Sequence, residues 1–114
     1  MKKDDRVYLH HILEAIGQIR EYTHSMDLSG FMQARLVQDG VIRQLEIIGE
    51  ATKNISSAVR NMDEAIPWKD MAGMRDVLIH QYFGVDLAAV WDTVQQELPE
   101  VEKQIRKLLT NLDV

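Results

Sequence analysis

The chain has no cysteine. It can therefore form neither a disulfide framework nor a thiolate metal site, and a reducing, cytoplasmic setting is the expectation. Proline and glycine are also scarce, at two and six residues in 114, which leaves room for long helices. β-Branched residues never alternate with polar ones over five or more positions, so strands are not expected. No run approaches the roughly 20 apolar residues of a membrane span. The charged start Met1-Lys2-Lys3-Asp4-Asp5-Arg6 leads into no apolar stretch of the kind a secretory signal needs. A membrane partner is thus not expected. An excess of basic charge is missing as well: 13 Lys and Arg stand against 18 Asp and Glu, for a net charge of −5. An acidic chain has no global footprint for nucleic acid, so contact with RNA requires a local basic site or a partner.

What is present is an ordinary globular balance, 46% hydrophobic and 27% charged. A chain of this length fits a single domain, residues 1–114, around one continuous core. Leu9, Ile12, Leu13, Ile16 and Ile19 recur at steps of three and four, which predicts a first helix that starts after Asp4 or Asp5 and fades near Thr23 to Asp27. Ser29 is a plausible cap for a long second helix with Phe31, Ala34, Val37, Val41, Leu45, Ile48 and Ile55 on its face. Gly40 and Gly49 inside it mark either close packing of another helix or simple strain. Residues 56–66 read as an irregular connection. Pro67 suits the first position of a third helix through Trp68, Met71, Met74, Val77 and Leu78, ending by Gly84. Asp86 caps a fourth with Leu87, Val90, Trp91, Val94 and Leu98, and Pro99 restarts a fifth with Val101, Ile105, Leu108 and Leu112. Short connections imply antiparallel neighbours, so the expected fold is all-α, an up-and-down bundle of four to five helices.

The densest chemistry lies in Met74-Arg75-Asp76-Val77-Leu78-Ile79-His80-Gln81-Tyr82-Phe83-Gly84. Arg75 offers a planar fork of donors for phosphate. His80 suits proton transfer near neutral pH. Together they are a minimal kit for cleaving RNA, the imidazole moving protons and the guanidinium stabilising charge on the phosphate. On one straight helix, however, residues 75 and 80 stand about 140° apart around the axis. In-line attack by a 2′-hydroxyl needs both a base and an acid, and one copy supplies one histidine. A two-fold dimer would bring two copies together. The same residues also admit a purely structural reading, with Arg75 and Asp76 as a solvated helix end, His80 as a satisfied interior histidine and Tyr82 as a packed ring.

Other candidates are weaker. Glu21-Tyr22-Thr23-His24 has the Glu-x-x-His spacing of di-iron bundles, but those need a second such motif and two further glutamates. His10 and His11, being adjacent, point in different directions and cannot easily share a metal. Met26, Met32, Met62, Met71 and Met74 read as gap fillers. No glycine-rich phosphate loop or Gly-x-Ser-x-Gly elbow occurs. Glu46 and Glu50 share a helix face and are usually solvated, since like charges at this spacing repel; proximity to Arg75 would change that reading. No metal and no cofactor is implied.

Arg75-x4-His80-x-Tyr82 is similar to the Arg-x4-His-x-Tyr signature of the HepT-like proteins of the HEPN superfamily. Leu45-Glu46-Ile47-Ile48-Gly49-Glu50-Ala51 with Lys53 resembles that group's second-helix signature. Pro67-Trp68 and Met71-Ala72-Gly73-Met74-Arg75-Asp76 resemble the approach to its motif, and Tyr82-Phe83-Gly84-Val85-Asp86 the exit. The likeness spans nearly the whole chain. It implies a HEPN-like helical bundle that forms a homodimer with the two motifs meeting at a cleft. It also implies a metal-independent endoribonuclease acting on RNA as the toxin of a toxin–antitoxin pair. The partner would be a minimal nucleotidyltransferase antitoxin, which in some systems adds AMP to the motif tyrosine. Carried over residue by residue, Arg75 and His80 would be catalytic, Asp76 would support them, and Tyr82 would be modified. Asp76 departs from the asparagine frequent at that position: a carboxylate there could pair with Arg75 or orient His80, but could also repel RNA. Two rivals stay open. One is a non-catalytic binding module that docks, and is modified by, the nucleotidyltransferase; the other is a plain helical dimerisation domain.

Overall fold

The structure, a computed structural model, describes residues 4–80 and 86–113, and residues 75–80 by their backbone only. Among the described residues every regular element is helical: α1 (Asp5–Thr23), α2 (Leu28–Gln33), α3 (Arg35–Lys53), α4 (Ser57–Arg60), α5 (Trp68–His80), α6 (Leu87–Asp92), a π-helical turn (Thr93–Glu97) and α7 (Leu98–Leu112). Four are long: α1, α3, α5 and α7. They pack in the order α7, α1, α3, α5, so that α3 lies between α1 and α5. The all-α bundle is as expected.

Each long helix turns one apolar stripe inward. Leu9, Ile12, Ile16 and Ile19 of α1 meet Val41, Leu45 and Ile48 of α3 and Val101, Ile105 and Leu108 of α7, all buried. Phe31 of α2 stacks obliquely on Trp91 of α6, with ring centroids 5.1 Å apart, and ties the short helices into the same core. Two buried threonines are satisfied within their own helices: Thr23 Oγ1 donates to the Ile19 carbonyl (2.8 Å) and Thr52 Oγ1 to that of Ile48 (2.7 Å). Glu102 of α7 is paired with Arg20 of α1 and with Arg106 one turn along α7 (3.0 Å).

Four features differ from the sequence-based expectation. The second helix is capped by Asp27, whose carboxylate accepts from Gly30 N at 2.8 Å, and not by Ser29. The long element then breaks at Ala34 (φ −107°, ψ 80°), which separates α2 from α3. The connection after α3 contains a helical turn, α4, capped by Ser56 through its bond from Val59 N (3.3 Å). Nor does Pro99 restart a separate helix. The chain runs through from α6 to α7 by way of the π turn, in which Leu98 N donates to Thr93 O. Proline lacks the N–H that would reach the Gln95 carbonyl, and its ring would clash there. Widening the turn to i→i+5 relieves both problems. The expected end by Gly84 lies outside the described residues.

The connection 54–67 sets where α5 begins. Arg60 donates to the carbonyls of Thr52 (2.7 Å) and Ile55 (3.2 Å), and Trp68 Nε1 donates to those of Arg60 (3.2 Å) and Asp63 (3.0 Å). The Pro67 carbonyl accepts the first helical bond, from Met71 N (3.0 Å). Pro67 thus precedes α5 by one residue.

Candidate functional site

α5 is anchored in its first half. Trp68 and Met71 are buried, and Met74 packs against the core from a partly buried position. This stripe, repeating every three residues, seats the helix on α3. The backbone stays helical through His80, so Arg75, Asp76 and His80 all stand on α5, five positions separating Arg75 from His80. At 3.6 residues per turn their Cα positions are about 140° apart around the axis. Tyr82 lies outside the described residues. Among the described residues no group of three or more His, Asp or Glu side chains could hold a metal ion, and no helix is long and apolar enough to cross a membrane.

The other histidines separate as their positions require. His10 and His11 line different depressions. His11 lies in a cleft between α1 and α3, while His10 faces Arg106 and Asp113 at the α1–α7 seam. Glu21 and His24 are both exposed at the end of α1, where His24 is its C-terminal cap, so they build no inward-facing carboxylate site.

Glu46 and Glu50 do not stand on bare surface. They line the α1–α3 cleft, of about 390 Å³, together with Tyr8, His11, Arg43 and Asn54. Tyr8 and His11, one turn apart on α1, meet edge to face with ring centroids 6.0 Å apart. Arg43 Nη1 is 3.7 Å from Glu46 Oε1, and the two side chains are 70% and 23% exposed. Asn54 Nδ2 donates to the Glu50 carbonyl at 2.9 Å. Sequence reading named the two glutamates but not Tyr8, Arg43 or Asn54 as part of any site. The available signal was spacing: 43, 46, 50 and 54 form one stripe of α3, and 8 and 11 one turn of α1.

Comparison with known proteins finds relatives along nearly the whole chain. The family described as Ribonuclease HepT-like matches residues 12–108. A protein of Methanocaldococcus jannaschii, named as a gamma-glutamylcyclotransferase and candidate RNase, is 46% identical over 99% of this chain, which spans about half (51%) of that relative's length. A second protein of that organism, named as a candidate RNase, is 43% identical over 98% of this chain and 97% of its own. The protein named "Probable ribonuclease HepT" of Thermococcus cleftensis is 44% identical over 95% of this chain and 98% of its own. No solved structure matches. With a family match across most of its length and relatives of this identity aligned nearly end to end, the chain belongs to the HepT-like ribonuclease family.

Proposed function

We propose that this chain is a metal-independent endoribonuclease of the cytoplasm, a single domain over residues 1–114 that works as a homodimer. The observation that carries the reading is the family match over residues 12–108, which contains Arg75, Asp76 and His80 on one helix. Arg75 binds the scissile phosphate and stabilises the charge that builds on it. His80 of one subunit takes the proton of the attacking 2′-hydroxyl as its oxygen bonds to phosphorus. His80 of the other gives a proton to the departing 5′-oxygen as the P–O bond breaks, leaving a 2′,3′-cyclic phosphate and a 5′-hydroxyl. Asp76 positions these groups. The separation of residues 75 and 80 around α5 is what makes the second subunit necessary, because one helix does not present both on a common face.

In this reading the chain is the toxin of a toxin–antitoxin pair, restrained by a minimal nucleotidyltransferase that adds AMP to Tyr82. A bulky anion two residues from His80 would fill the cleft and occupy the guanidinium meant for substrate phosphate. The net charge of −5 favours a second reading, in which the domain is a non-catalytic module that docks the nucleotidyltransferase.

RNA cleavage by purified, unmodified protein in EDTA separates the two. Cleavage by the wild type, and none by a His80→Ala variant of equal fold and oligomeric state, supports the nuclease. No cleavage by the wild type, with intact mass confirming an unmodified Tyr82, favours the docking module.

A further inference from the structure

The α1–α3 cleft is not used by the proposed reaction, yet its lining is selective. Its volume of about 390 Å³ falls within the range of small-ligand sites, roughly 300–1,000 Å³. One wall carries the paired rings of Tyr8 and His11. The other carries acceptors: the carboxylates of Glu46 and Glu50, and Asn54 Oδ1, its amide nitrogen being committed to the Glu50 carbonyl. Arg43 completes the lining. It is largely exposed, and at 3.7 Å its contact with Glu46 is too long for a hydrogen bond, so little holds it against reaching an anion outside.

We propose that this cleft binds an unpaired guanine base of an RNA strand. The choice follows from matching edges. Guanine presents two adjacent donors on its pairing edge, N1–H and N2–H₂, which fit the two oxygens of one carboxylate. Adenine and cytosine place a lone-pair nitrogen beside their amino group, and it would face the negative charge. Uracil offers one donor between two carbonyls. Glu46, the less exposed partner of the Arg43 pair, is the carboxylate that reads the edge. Because Tyr8 and His11 meet at right angles, one of the two rings at most lies flat against the base, a contact worth about 1–3 kcal/mol per base in single-strand binders. Arg43 takes the attached phosphate. The cleft then supplies what an acidic chain otherwise lacks, a place where substrate is recognised by its base and not by bulk charge. That the guanine belongs to the substrate rests on the ribonuclease reading; the binding does not.

Titration of 5′-GMP and of 5′-AMP into the unmodified protein, followed by backbone amide NMR, tests the site independently of cleavage. GMP shifts the amides around residues 8–11 and 43–54 and binds at least about fivefold more tightly than AMP. Glu46→Gln, which puts an N–H₂ where an acceptor is needed, weakens GMP about tenfold without weakening AMP. Asn54→Ala, at an exposed helix end, serves as a second variant and weakens GMP more modestly. Equal binding of the two nucleotides, shifts confined to other surfaces, or a Glu46→Gln variant that binds GMP as before each overturns the proposal. Cleavage in EDTA without GMP binding rejects the subsite and keeps the nuclease. GMP binding at the cleft without cleavage rejects the nuclease and keeps the site.

Discussion

Asp5 and Ser56, 51 positions apart in sequence, are bound to each other: the Asp5 carboxylate accepts from Ser56 N at 2.8 Å and from Ser56 Oγ at 2.9 Å. The first turn of α1 is thereby fastened to the point where the chain leaves α3, and Ser56 in turn caps α4. Asp5→Ala leaves a part-buried backbone N–H unsatisfied and should cost about 1–2 kcal/mol. Thermal unfolding checks this: a drop in Tm of several degrees is expected, and an unchanged Tm means that water replaces the carboxylate without loss.

Glu102 makes stability depend on pH. Burial pushes its carboxyl upward, but hydrogen bonds from Arg20 and Arg106, with their charges, outweigh burial and hold it below the usual carboxylate range. A carboxyl held low in the folded state contributes stability above its unfolded value, and that contribution is lost as pH falls through the folded value. Glu102→Gln should therefore destabilise by about 1 kcal/mol near neutral pH and by less at about pH 3, below the usual carboxylate range, where more of the folded-state carboxyl is protonated. Urea midpoints at the two pH values give the comparison. A deficit of the same size at both would show that packing, not charge, is lost.

Two helical glycines should respond differently to alanine. A Cβ at Gly17 would meet nothing within 4 Å, so Gly17→Ala should stabilise α1 by about 0.5–1 kcal/mol. At Gly40 a Cβ would lie 3.1 Å from Tyr22 Cε2, so the ring must shift by a few tenths of an ångström. Gly40→Ala should gain less, and the full gain should return in a Tyr22→Ala background. Equal gains at both positions in chemical denaturation would show that Tyr22 moves freely.

Tyr82→Phe separates modification from catalysis. The variant should escape AMP transfer by the nucleotidyltransferase, with no mass increase of one adenylyl group, and should still cleave RNA. If the partner restrains this variant as well as it restrains the wild type, Tyr82 is not the control point.

The long helices were legible because burial repeats every three to four residues in α1, α3 and α7, and Leu9, Ile12, Val41, Leu45, Ile105 and Leu108 are as buried as their spacing required. Their ends were less legible for local reasons. Asp27 and Ser29 are both good caps, and which one wins depends on which N–H groups the chain brings within reach. Ala34 carries no breaking signal at all, being the best helix former. Pro99 was readable as a disruption, but its outcome was not, since a proline can end a helix or widen it. Arg75, Asp76 and His80 were readable as one motif because they are close in sequence. The α1–α3 cleft was not, because Tyr8 and Asn54 become neighbours only when two helices pair.

The π turn at Thr93–Glu97 can also be counted as one surplus residue in the helical register. Each residue added to or removed from a helix turns everything beyond it by about 100°. Val101, Ile105 and Leu108 face the core because the wide turn takes up that surplus within itself. Deleting a single glutamine there, Gln95 or Gln96, would restore an even α-helical pitch and keep the inner face of α7 toward the core, whereas forcing the full-length chain into plain α-helix would swing that face toward water. The segment that looks most irregular is thus the one that absorbs a change of one residue in chain length without turning the helix beyond it.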